Sequence, residues 1–191
     1  MNLLREYIRE LLTEAAKTPE DLLSYDDVYV FIRNEGDMVK IFFSDFDGKA
    51  SPEPNGSMWI ASHRQPECGN AWEVAAASAP HGWGPLLYDV AMEWASLNGG
   101  GLISDRSRVS DDARAVWRYY NENRPDVTIH QLDDRQNTLT PDKEDNCDQT
   151  IAGHDGLPDP EDNWINSPLS KRYTAPPKTI RKLKSLKRLI R

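Results

Sequence analysis

Long apolar runs are missing from this 191-residue chain. No stretch approaches the roughly 18 apolar residues that a bilayer-spanning helix needs. The first apolar positions are broken by Arg5, Glu6, Arg9 and Glu10, so no secretory leader is expected either. Cysteine is scarce. Cys68 and Cys147 show no metal-ligand spacing and read as free thiols in a reducing compartment. The four histidines are scattered, which leaves no zinc constellation. The apolar fraction is 38% and the mean hydropathy −0.70, low for a chain packed along its whole length. A cytoplasmic protein with one core and some unpacked chain is the expectation.

Basic charge is the minority, 23 Lys and Arg against 31 Asp and Glu, and the two signs are segregated. Ser170 to Arg191 holds nine cations and no acid, whereas Asp133 to Asp162 holds ten acids against Arg135 and Lys143. That asymmetry points to end segments with partners of their own.

Apolar residues at helical spacing (Leu3, Leu4, Tyr7, Ile8, Leu11, Leu12) predict an amphipathic helix over 2–16, and Thr18-Pro19-Glu20-Asp21 starts a short second one. Strands are expected over 28–33 and 38–43, as a hairpin around Asn34-Glu35-Gly36-Asp37, then over 57–62, 71–77, 101–105 and 127–132. Helices are expected from Leu86 to Leu97 and after a Ser110 cap. The last dozen residues place Ile180, Leu183, Leu186, Leu189 and Ile190 on one side of a basic helix. The implied division is a helical extension (1–24), a domain (25–134), an acidic irregular linker (135–169) and a basic tail (170–191).

Between the strand at 71–77 and the helix from Leu86 lies Ala79-Pro80-His81-Gly82-Trp83-Gly84-Pro85. The first N–H groups of a helix have no partner within it and sit at the positive end of its dipole, so such a turn suits a phosphate. Gly82 and Gly84 let a ligand approach the backbone, and Pro85 suits the first helical position. A glycine-rich turn that binds nothing has the same pattern. Trp83 at a loop tip needs a neighbour or a ligand to cover it.

The element order together with this turn resembles the GNAT acetyltransferases over roughly 26–134. Their signature, Q/R-x-x-G-x-G/A, is matched at Gly82 and Gly84, with Ala79 in the first position and His81 before the first glycine. The resemblance implies an α+β fold, a mixed and mostly antiparallel central sheet flanked by helices, whose fourth and fifth strands part around acetyl-CoA. It further implies cofactor contacts at Ala77, Ser78, His81, Gly82, Trp83, Gly84, Leu86 and Ser110, with a backbone N–H near Ala76 to Ser78 on the thioester carbonyl. Ser110 and Ala113 match the next family helix, but Trp117 stands where a tyrosine usually protonates the departing thiolate. Tyr119 or Tyr120 would replace it. Glu73, the one acid on the fourth strand, is the first candidate base, or else an ordinary solvent-facing strand residue; Asp105 and His81 are further choices. Arg106 and Arg108 would meet phosphates or an acidic substrate, or remain solvated loop charges.

The N-terminal helix also resembles those of phage head proteins cut after Leu/Ile-x-Glu, a pattern present as Leu12-Thr13-Glu14, although three residues are unspecific and an amphipathic helix packed on the domain is the favoured reading. Two functions follow from the resemblance to phage-encoded GNAT-like proteins. One is acetyl transfer to a small-molecule or protein amine in the host cytoplasm. The other is a non-catalytic virion or interaction protein acting through 1–16 and 178–191. Nucleic acid, including DNA-base modification, is disfavoured by the acidic body.

Overall fold

The structure, a computed structural model, describes residues 16–49, 54–62, 67–149 and 164–191. The expected helix over 2–16 and the Leu12-Thr13-Glu14 pattern lie outside the described residues, apart from Ala16.

Eight strands form one sheet in the order β6-β7-β5-β4-β3-β2-β1-β8. They are β1 (Tyr29–Asn34), β2 (Met38–Ser44), β3 (Ser57–Ser62), β4 (Trp72–Ser78), β5 (Leu102–Ile103), β6 (Thr128–Gln131), β7 (Lys171–Thr174) and β8 (Leu189–Ile190). Neighbours are antiparallel except for β4 with β5 and β1 with β8. The mixed, mostly antiparallel sheet is therefore present. Three α-helices of the described residues accompany it: α1 (Gly84–Asn98), α2 (Asp111–Asn123) and α3 (Lys178–Ser185). A 3-10 helix, Pro19–Ser24, precedes β1, its start fixed by the Asp21 carboxylate accepting from the Thr18 N–H at 2.7 Å.

Period-two alternation sends Val30, Ile32, Val39, Ile41, Phe43, Met58, Ile60 and Val74 to one face, where they meet α1. That helix is covered along most of its length, including Leu86, Leu87, Val90, Met92 and Trp94. Its buried Glu93 accepts from the N–H groups of Thr179 and Ile180, both at 2.7 Å, and so closes the open start of α3. Gly100 and Gly101 let the chain pass close to the Gly69 and Tyr173 carbonyls, where a Cβ would collide.

Three expectations are corrected. The cysteines are not free: Cys68 and Cys147 form a disulfide. Seventy-nine positions separate them, but Cys68 N–H donates to Asn146 O at 2.8 Å, and this brings the two Cα atoms to 4.6 Å. The chain after residue 134 is not merely linker and tail, because β7 sits between β5 and β6, and β8 lies beside β1. The basic helix stops at Ser185; Lys187 turns at φ +57, and Leu189 and Ile190 continue as a strand.

Candidate functional site

Strands β4 and β5 pair only at Trp72–Leu102 and Glu73–Ile103, then separate. Beyond that point β4 keeps β3 on one flank and, among the described residues, no strand on the other, which is why Ala75 to Ser78 are exposed in the middle of an eight-stranded sheet. The register with β3 shifts at Trp59/Ile60, leaving Ala75 as an extra residue on β4. Such a bulge bends its strand and re-aims the backbone. Past Glu73 the main chain of β4 on this flank is thus outside any strand ladder of the described residues and borders the gap.

The gap holds a cavity of about 290 Å³ between β4, Tyr88, the Asp105–Ser110 loop and Trp117. A second cavity of about 470 Å³ continues past Ala77 and Ser78 to the glycine turn. Ala77, Tyr88, Ser110 and Ala113 line both, so the two form one cleft. At its mouth Gly82 takes φ +82, and Trp83 N–H donates to Pro80 O at 3.0 Å. Pro85 occupies the second helical position rather than the first. The N–H groups of Gly84 and Leu86 lie in the first turn, where no earlier helical carbonyl can receive them. A Cβ on Gly84 would meet no atom within 4 Å, so the backbone here faces open space.

The cleft therefore gathers Ala77, Ser78, His81, Gly82, Gly84 and Ser110 from the expected contacts. Ser110 also caps α2, its hydroxyl oxygen accepting from the Ala113 N–H at 3.3 Å. Leu86 is buried in the core and contributes only backbone. Trp83 is 4% exposed, its indole set edge-on to Tyr25 and Phe43, and so its side chain is a core anchor.

The candidate acids and bases are distributed differently. Glu73 does not line the cleft; its carboxylate accepts from the Arg106 N–H at 2.7 Å and ties β4 to the chain leaving β5. Tyr120 is buried, donating to Asp89 Oδ1 at 2.6 Å, and burial raises its pKa far above the ordinary phenol value. Tyr119 stacks edge-on against it, and neither reaches the cleft lining. Arg106 is turned inward onto the Ser104 and Leu169 carbonyls and the Ser104 hydroxyl, with burial lowering its pKa to about 10. Arg108 is the cation that lines the cavity. Asp105 lines it too, its Oδ1 accepting from Ser107 N–H, Ser107 Oγ and Arg108 N–H at 2.6, 2.6 and 3.0 Å.

Sequence reasoning missed Tyr88. It lies on α1, lines both cavities and meets Trp117 edge-on at 5.6 Å. Burial pushes its phenol above the ordinary range, which keeps it protonated. The available signal was its place one helical turn after Gly84, on the face that follows the open glycine. No helix among the described residues is long and apolar enough to cross a membrane. No family model, no curated protein and no solved structure matches the chain, so the site is read from its own geometry.

Proposed function

We propose that the chain is an acetyl-CoA-dependent N-acyltransferase that moves the acetyl group directly to an amine. The observation that carries this reading is the parting of β4 and β5 after two residue pairs, with a glycine turn and a helix start at the mouth of the gap. First-turn N–H groups favour a diphosphate there, and Arg108 lines the adjoining cavity beside β4. An N–H on the unpaired flank of Ala76 to Ser78 serves the thioester carbonyl, where negative charge develops as the amine attacks. The C–N bond forms and the C–S bond breaks. Asp105 takes the proton lost by the amine, and Tyr88 gives one to the departing thiolate. Glu73, Tyr119 and Tyr120 are released from the catalytic roles first expected of them.

Titration with CoA and acetyl-CoA tests this. At a hundredfold excess over Kd a ligand of the native state adds about 2.7 kcal/mol, a Tm rise of roughly 5–10 °C at this chain length. Gly84→Val is expected to abolish the rise without lowering the stability of the free protein, because its side chain fills space that is open. A folded wild-type protein with no heat and no Tm shift at millimolar CoA overturns the proposal.

A non-catalytic version of the same fold is favoured by two observations, the inward-turned Arg106 and the engagement of Glu73 in a structural hydrogen bond. CoA binding without turnover of any amine would select it.

A further inference from the structure

The sheet face turned away from α1 carries a row of aromatic and cationic side chains. Phe31 stands opposite Phe42, Arg33 opposite Lys40, and Lys40 opposite Trp59 in the strand register. The Phe31 and Phe42 rings stack at 5.2 Å, Arg33 lies 5.1 Å over Phe42, and Lys40 lies 5.0 Å from both Phe42 and Trp59. Neither cation has a carboxylate partner among the described residues. Beside them runs a groove of about 420 Å³, lined by Arg33, Lys40, Phe42, Asn55, Ser57 and Ser78, with no acid on its wall among the described residues. On a chain of net charge −8, a groove whose described lining carries two cations and no carboxylate is a local reversal of sign. The rings hold the cations in place without neutralising them.

The groove ends at Ser78, which also lines the cleft at the glycine turn. A ligand anchored at Lys40 therefore has its far end at the unpaired flank of β4. Lys40 and Ser78 lie on strands two apart and two residues out of register, a separation of roughly 12 Å between their backbones. We propose that this groove is the acceptor subsite and that it selects an elongated amine bearing an anionic group, carboxylate or phosphate, at the end remote from the nitrogen. This rests on the transferase reading above. An α-amine, one carbon from its carboxylate, is too short to reach both ends.

The test compares ε-aminocaproate with hexylamine, equal in length and different in charge, and with glycine. Wild-type protein is expected to favour ε-aminocaproate over hexylamine by about tenfold or more in kcat/KM and to leave glycine untouched. The double variant Arg33→Gln/Lys40→Gln is expected to erase the preference while its CoA affinity, measured by titration, stays unchanged. Equal use of the two long amines, retention of the preference in the variant, or CoA binding with no acetylation of either amine overturns the assignment. Loss of CoA binding in the wild type overturns the transferase reading instead. In that event a Tm rise with ε-aminocaproate that vanishes in the double variant still identifies the anion groove, and its absence removes that as well.

Discussion

In the proposed transferase, Tyr88 stands in for a side chain that would otherwise come from a different helix. Trp117 is 1% exposed and fills the space between Tyr88 and Tyr173, so α2 has no hydroxyl to offer the cleft at that position. The proposed reaction takes it from Tyr88 on α1 instead. Tyr88→Phe removes it and keeps the ring that packs on Trp117. The expected result is a kcat reduced about 10²- to 10⁴-fold, the range of a lost general acid, with CoA affinity and Tm near wild type. Single-turnover kinetics with a thiol reagent for CoA release reads the step directly; an unchanged kcat removes Tyr88 from the chemistry. This residue was hidden in the sequence because a tyrosine inside an apolar helical run looks like core, and only the parting of β4 and β5 uncovers one side of it.

Among the elements, the junction of the three helices is held by charge. Arg124, at the end of α2, donates to Asp89 of α1 at 2.8 Å and to Asp126 at 2.9 Å, and Lys178 of α3 lies 3.5 Å from Asp126. The hydrogen bonds from Arg124 lower the Asp126 pKa from 3.8 to about 2. The folded state therefore prefers the ionised carboxylate, so the stabilisation is present above the unfolded pKa and is lost as pH falls through the folded one. Asp89 beside it is pushed up by burial and contributes the opposite slope, so a variant at Asp126 isolates the loss. Urea midpoints measured between neutral pH and about pH 2 are expected to show Asp126→Asn less stable at neutral pH and flatter on acidification than wild type. Parallel curves would contradict the pairing. At this scale the sequence was informative where the signal is local. The hairpin of β1 and β2, the alternation in β3 and β4, and the Ser110 cap all depend on neighbours a few positions away. Lys171–Thr174 and Leu189–Ile190 carry no such signal. Each is short, and each becomes a strand only because a distant partner, β5 and β6 or β1, presents an unpaired edge.

The same distinction governs the whole molecule, whose sheet is completed by chain that composition marks as an appendage. The disulfide is one long-range closure: it cyclises 80 residues, worth about 4–5 kcal/mol in chain entropy, so reduction is expected to lower Tm by roughly 10 °C. The C-terminal segment is the other, and it decides whether the fold exists. Tyr173 is fully buried against Trp117, Ile180 and Leu183 enter the core under α1, and among the described residues β7 alone joins β6 to the sheet. Burying an apolar side chain of this size contributes about 1.5–3 kcal/mol. Three such losses, with the lost strand pairing, consume most of the roughly 5–15 kcal/mol by which a domain is stable. A chain ending at Leu169 is therefore expected to show no cooperative unfolding. One ending at Lys187 keeps β7 and α3. It loses β8 and the three hydrogen bonds from Arg188 to the Tyr25, Asp26 and Val28 carbonyls, and it should still unfold cooperatively at a lower midpoint. Urea unfolding followed by circular dichroism separates the two. If the shorter chain unfolds cooperatively near the wild-type midpoint, the basic segment is a true appendage and the eight-stranded sheet does not describe the folding unit.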